Sequence, residues 1–316
     1  MRHLLNVLCL AAGATACGDL TGTSFFAPSS VQLRSDPGDP VGAGKTYTYT
    51  QANAVFGFEL SGNGQIVPVT LTVSVQGDES WRGFFTMPSG KTRLEPGTYQ
   101  EDPRWHAVIA CNTTGSFTID RVSYAGPSLT AIDLSFEQQC AGVTAALHGT
   151  VHWRASDATR APGPVNPPPA TLWRPPAGAT PAGVNFVYLQ SDSGDVVGHG
   201  RTDLYTPATA TLDVVGYPGH VYVGVAGADT SSGDFLKMNS IPKLTVGYYG
   251  GLQGLPSMNP AKGGLTWGIC GVLTGWFVID HVTYSADTVT AIDLRFEQHC
   301  QASPTAALHG AVHWTR

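Results

Sequence analysis

Apolar and polar residues alternate along many short stretches of this chain. Leu71-Thr72-Val73-Ser74-Val75 and Val221-Tyr222-Val223-Gly224-Val225 do so. Ile132, Leu134 and Phe136 take one side of their segment, and Asp133, Ser135 and Glu137 the other. Leu147, Gly149, Val151 and Trp153 likewise oppose His148, Thr150 and His152. A period of two puts one face of a sheet into a core and leaves the other polar. Few segments carry a helical period. Short strands broken by Gly, Pro and Ser turns predict an all-β protein of antiparallel sandwiches or barrel-like modules, with the sandwich preferred.

The pattern occurs twice. Ala131-Ile132-Asp133-Leu134-Ser135-Phe136-Glu137-Gln138-Gln139-Cys140 returns as Ala291-Ile292-Asp293-Leu294-Arg295-Phe296-Glu297-Gln298-His299-Cys300. Thr144-Ala145-Ala146-Leu147-His148-Gly149 returns as Thr305-Ala306-Ala307-Leu308-His309-Gly310. Between them Gly77, Gly83, Phe85, Leu94, Gly97 and Tyr99 match Gly227, Gly233, Phe235, Leu244, Gly247 and Tyr249. Two tandem modules follow, 31–154 and 182–316, each near ordinary domain size. The segment 155–181 between them is proline-rich and predicts a semi-rigid, extended spacer.

The amino terminus has the order of an export signal. A basic start, Met1-Arg2-His3, precedes a short apolar run from Leu4 to Ala12, too short to stay in a bilayer as a spanning helix. Ala14-Thr15-Ala16-Cys17 resembles the lipobox of bacterial lipoproteins, with Ala14 in place of the usual Leu. Cleavage after Ala16 by ordinary signal peptidase fits the same residues. The cysteines favour lipidation. Of six, Cys9 leaves with the signal, and Cys111, Cys140, Cys270 and Cys300 stand at matched places in the two modules. Cys17 is left over, and lipid on it removes a free thiol from an exported protein. The resemblance implies a diacylglycerol anchor there, with residues 18–30 as a tether and the outer membrane or cell surface as destination. Export also supplies the oxidising compartment for disulfides Cys111–Cys140 and Cys270–Cys300. A hairpin turning at Gly126-Pro127 brings the first pair together at its open end.

Charge narrows the partners. The net charge is −6 and no Lys/Arg cluster exists, which argues against nucleic acid and against an electrostatic membrane contact. Membrane association is expected through the lipid alone. No Gly-x-Ser-x-Gly, His-Glu-x-x-His, phosphate-binding Gly loop or Cys-x-x-Cys occurs, and no cofactor is implied.

The Phe-Glu-Gln-x-Cys and Ala-Leu-His-Gly motifs resemble a module of uncharacterised bacterial exported proteins. There they accompany a Gly-Asp-x-x-Gly-x-Gly start and an Asn-Pro-Ala-Lys-Gly-Gly loop, matched here by 194–200 and 259–264. The resemblance spans both modules, implies architecture and implies no activity.

Three sets of residues carry candidate chemistry. Asp36, Asp39, Asp192 and Asp195 lie among glycines, where they suit tight turns or, more weakly, a Ca²⁺ loop. An inserted segment of the second module, about 250–267, with Tyr248, Tyr249, Asn259, Lys262 and Trp267, is a candidate ligand loop whose aromatics suit sugar faces. The polar face of the last strands is the third. Symmetric hairpins place Glu137 opposite His148 and Asp133 opposite His152, with Glu297–His309 and Asp293–His313 as their counterparts. They also place Asp120 against Asp133 and Asp280 against Asp293, a like-charge opposition that needs a proton or a cation to relieve it. A change of alternation phase between Ile119 and Val122 suggests a bulge that turns Asp120 away. On a strand, His148 and His152 are roughly 13 Å apart and cannot share one ion. Two function classes follow. The first is a non-enzymatic binding or structural lipoprotein whose ligand is a polysaccharide or a protein. The alternative is a hydrolase or metal-dependent enzyme using the Asp/Glu/His face.

Overall fold

The computed structural model describes residues 28–101, 103–107, 111–253, 259–301 and 303–316. The signal segment, Cys17 and the tether through residue 27 lie outside the described residues, as do positions 254–258 of the candidate ligand loop.

The described chain is all-β and antiparallel. The first module contains β1 (Ser30–Ser35), β2 (Thr46–Thr50), β3 (Val55–Ser61), β4 (Thr70–Gln76) and β5 (Ser80–Thr86). It continues with β6 (Gly97–Tyr99), β7 (Arg104–His106), β8 (Thr113–Ala125), β9 (Ser128–Cys140) and β10 (Ala146–Arg154). A six-stranded sheet in the order β2-β1-β10-β9-β8-β6 faces a four-stranded sheet in the order β3-β4-β5-β7. The second module repeats this strand for strand. It comprises β11 (Phe186–Ser191), β12 (Thr202–Tyr205), β13 (Thr211–Tyr217), β14 (His220–Ala226) and β15 (Thr230–Leu236). Then come β16 (Gly247–Gln253), β17 (Gly264–Trp267), β18 (Leu273–Ser285), β19 (Thr288–Cys300) and β20 (Leu308–Thr315). Its sheets run β12-β11-β20-β19-β18-β16 and β13-β14-β15-β17. Two tandem sandwiches result, as the period-two pattern predicts.

Each sandwich closes over its own core. Val31, Leu33, Leu71, Val73, Phe85, Phe117 and Phe136 lie at the centre of the first. Val187, Val221, Val223, Phe235, Phe277 and Phe296 lie at the centre of the second. The repeated motifs are mostly devices of this core. Phe136 and Phe296 lie directly over Gly149 and Gly310, where a Cβ would sit 2.0 and 2.1 Å from the ring. Only glycine fits at the end of Ala-Leu-His-Gly. The glutamine of Phe-Glu-Gln-x-Cys points inward and ties the two sheets together. Buried Gln138 accepts from Trp105 N and donates to Trp105 O, at 2.5 and 2.9 Å. Gln298 does the same to Trp267, at 2.8 and 2.9 Å. A side-chain amide thus satisfies a backbone pair that no neighbouring strand serves.

The cysteines join within modules, Cys111 to Cys140 and Cys270 to Cys300. Such bonds persist in oxidising compartments and fit an exported protein. No described helix is long and apolar enough to cross a membrane.

The proline-rich segment does more than separate the halves. Val165 pairs with Tyr248 as an isolated antiparallel bridge on the edge of β16, N to O at 2.9 Å and O to N at 2.8 Å. Ser240 Oγ donates to the Pro162 carbonyl. Trp173 then lies on the outer face of the second six-stranded sheet, stacked on His309 at 4.9 Å and on Tyr188 at 6.3 Å between ring centroids.

Candidate functional site: the outer face of the six-stranded sheets

The last strands pair as their alternation predicts. His148 lies opposite Glu137 and His152 opposite Asp133. His309 lies opposite Glu297 and His313 opposite Asp293. The expected opposition of Asp120 with Asp133 does not occur. A bulge between Ile119 and Arg121 swings Asp120 out into solvent and sets Arg121 across from Asp133. The same bulge between Ile279 and His281 sets His281 across from Asp293. One extra residue therefore replaces a like-charge contact with an attractive one, and no bridging cation is required.

The carboxylates are partnered by the chain itself. Asp133 meets His152 Nδ1 at 2.5 Å and Arg154 at 2.7 Å. Asp293 meets His313 Nδ1 at 2.5 Å. His148 stands between Asp36, at 3.2 Å, and Glu137, at 3.5 Å. The hydrogen bond from His148 is the main cause that lowers the Asp36 carboxyl from its ordinary value. In the second module a carboxylate stands between two imidazoles: Glu297 meets His309 at 3.3 Å and His299 at 3.2 Å. The His309 contact leads in holding Glu297 down to about 2, against the opposing effect of burial. Among the described residues no group of three or more His, Cys, Asp or Glu is arranged to hold a metal ion.

The Asp-Gly loops are turns. Asp39 is buried, and its carboxylate accepts from Ser35 Oγ, Val41 N and Gly42 N at 2.7–3.1 Å. Asp195 repeats this with Ser191 Oγ, Val197 N and Gly198 N. Asp36 and Asp192 accept from the backbone of Ala146 and Ala307. With these donors on their oxygens, the loops match turn chemistry rather than a Ca²⁺ site.

Two of the three aromatics of the candidate ligand loop are core residues. Tyr249 and Trp267 are fully buried in the second core, and Asn259 is buried with its Oδ1 accepting from Ala261 N. Tyr248 lies in β16, and Lys262 is exposed. Trp267 is not one of the inserted residues. Trp267 corresponds to Trp105, since each lies on the partner strand opposite a matched glycine, Gly233 or Gly83. The added residues therefore lie between Tyr249 and Trp267, and a shorter stretch is lost between Trp267 and Cys270. The two tryptophans on matched edges are the signal that reveals it.

Alternation alone also missed the feature that distinguishes the modules. A row of outward positions crosses all six strands of each large sheet. In the first module it reads Thr48, Gln32, Thr150, Ser135, Thr118 and Thr98. In the second the same row reads Leu204, Tyr188, Ala311, Arg295, Val278 and Tyr248. The first row is hydroxyls and one amide, exposed or half-buried. Its middle four positions, Gln32, Thr150, Ser135 and Thr118, floor an open depression of about 530 Å³ whose lining includes His148, Glu137 and Arg34. In the second, outward-facing Tyr188, Val278 and Arg295 are buried at 5%, 0% and 3% exposure, as is Trp276 at 7%. Arg295 holds the linker in place. Its Nε donates to Asp280 at 2.9 Å and its Nη1 to the Trp173 carbonyl at 2.9 Å, while Arg174 approaches Asp280 at 3.8 Å.

A larger cleft of about 790 Å³ lies beside Trp105 and Cys111. Its described lining contains none of the paired carboxylates and imidazoles. The comparisons with known proteins are negative: no family model, no curated protein and no solved structure matches this chain.

Proposed function

We infer that this chain is an exported, lipid-anchored lipoprotein that binds rather than transforms its ligand, and that the ligand lies on the outer face of the first module's six-stranded sheet. The observation that supports this reading is the contrast between the two rows. The second module's row is mostly apolar, and Trp173 lies over it at Tyr188. The equivalent face of the first module carries Gln32, Thr150, Ser135 and Thr118, and no described segment crosses it. A polar, open, sheet-borne surface suits a polysaccharide or a protein. The carboxylate–imidazole pairs of the first module favour binding over catalysis, because each is held within a strand-to-strand contact on an open face. A catalytic pair needs a site that excludes water around the reacting atoms.

The test uses the full chain with Cys17→Ser, which leaves no thiol to acylate. That variant is expected in the soluble exported fraction, whereas the parent is expected with membranes. The soluble form is then screened on a glycan array and against a broad panel of hydrolase substrates. Ser135→Arg, which projects a long cation over the hydroxyl row, should abolish any binding found. Turnover of a panel substrate that is lost in His148→Ala would replace the binding reading with the enzymatic one.

A further inference from the structure

The second module and its linker form a complex of a face with an extended peptide, and the first module retains the parts of that site with no described segment lying across it. We propose that the first module docks a basic, proline-containing, extended segment of a partner protein along the edge of β6 and across the adjoining outer face. This deepens the binding reading above and rests on it.

The argument begins at the edge strand. In the second module the linker adds itself to β16 through both main-chain groups of Tyr248, the mode by which peptides extend an exposed sheet. β6 is the matching edge of the first module, with Thr98 in the place of Tyr248. No backbone partner occupies the corresponding groups of Thr98 among the described residues. An edge of this kind is a template for another chain. A glycan cannot reproduce the paired N–H and C=O of a polypeptide at such an edge.

Backbone geometry is preserved as well. Gly247 has φ +141°, and a Cβ there would lie 2.9 Å from Pro164 Cβ and 3.1 Å from the Val165 carbonyl. Its lack of a side chain is what admits the linker. Gly97 holds nearly the same conformation, at φ +149°. Among the described residues the atoms nearest to a Cβ there belong to the Tyr99 side chain, at 3.3 Å and beyond. The conformation that serves peptide approach in one module is therefore present in the other, beside an open edge.

Charge names the ligand. Asp280 receives two cations, Arg295 from the sheet and Arg174 from the linker. Asp120 holds the equivalent bulge position and is exposed, but the residue matching Arg295 is Ser135. Among the described residues no ion pair involves Asp120. A Lys or Arg of the docked segment takes the place that Arg174 has in the second module. The side chains flanking it differ in kind. Where Trp173 rests on Tyr188 and His309, the first module has Gln32 and His148, so its ligand is polar where the linker is aromatic. Prolines hold such a segment extended before it binds and reduce the entropy lost on docking.

The experiment pans a phage-displayed library of short random peptides against the full Cys17→Ser chain. Enrichment of proline-containing peptides with at least one Lys or Arg is expected. Synthetic copies of the winners should bind at least about tenfold more weakly to Asp120→Arg, which opposes their charge, and to Thr98→Pro, which removes the edge donor. Asp120 is solvent-exposed, so its variant remains informative should Thr98→Pro disturb β6. Absence of enrichment, or binding indifferent to Asp120→Arg, overturns the proposal. A glycan-array signal abolished by Ser135→Arg, beside failed panning, would reject the peptide and keep the face as a binding surface. Silence in both screens would reject both readings.

Discussion

The two outer sheet faces differ far more than the two cores beneath them. Phe85, Phe117 and Phe136 of the first core have counterparts in Phe235, Phe277 and Phe296, with nearly the same ring separations. The facing rows above have diverged, to hydroxyls in one module and to Leu204, Tyr188, Ala311, Arg295, Val278 and Tyr248 in the other. A close-packed interior resists change in volume. An outer face is constrained only by what lies on it. One duplicate is covered by a segment of its own chain, and over the other no described segment passes.

That contrast can be broken at several points. The largest effect should be equal in the two modules, because it belongs to the shared frame. The disulfides close loops of 29 and 30 residues, and in the chain-entropy account each contributes roughly 3–4 kcal/mol. Cys111→Ser with Cys140→Ser, and Cys270→Ser with Cys300→Ser, should lower denaturant stability by similar amounts. Unequal losses would show that the frames have diverged too.

The next effect should be one-sided. Arg295→Ser gives the second module the residue of the first. It removes the buried donor to the Trp173 carbonyl and the nearest cation to Asp280. A cost of about 2–3 kcal/mol is expected, less than for a fully buried pair because Asp280 is partly exposed. Hydrogen exchange should report faster opening at Tyr248 and Val165, with the first module unaffected.

Acid should act on the second module through one identified carboxylate. The Glu297 carboxyl is held near 2 in the folded state, well below its ordinary 4.5, chiefly by His309. A depressed carboxylate adds stability above its unfolded pKa, and that addition is lost as pH falls through the folded one. Between about pH 4.5 and 2 the second module should lose this contribution. Glu297→Gln should flatten that part of the melting-temperature profile, and a profile of unchanged shape would refute the assignment.

The smallest effect is the reciprocal substitution. Ser135→Arg places the second module's residue on the open face of the first, where no linker meets it. Stability should stay within about 0.5 kcal/mol. A stabilisation beyond this would mean that Arg finds a partner on that face and that the two faces are more alike than their rows imply.

Much of the architecture was legible before the structure. Ile132, Leu134 and Phe136 identify the buried side of β9, and the matched cysteines identify the disulfides. The phase change near Asp120 signals the bulge that corrected the Asp–Asp opposition. The burial of the linker also left a trace. Phe186-Val187-Tyr188-Leu189 and Trp276-Phe277-Val278-Ile279 are continuous apolar runs where the first module has Ser30-Val31-Gln32-Leu33 and Ser116-Phe117-Thr118-Ile119. Such runs indicate a strand buried on both faces, although they do not say what buries it.

By itself the sequence determined strand character, the duplication, the inward and outward sides and the pairing of cysteines, because each depends on neighbours one or two residues apart or on a repeat visible in the chain. Only the tertiary structure decided that Trp267 and Tyr249 belong to the core, that Gln138 and Gln298 tie the sheets, and that Trp173 covers the second face alone. Those outcomes depend on residues such as Trp173 and His309, which are remote in the chain and are brought together only when the sheets assemble. A local pattern reports which side of a strand is apolar; whether water, a second sheet or a returning segment meets that side is settled by packing.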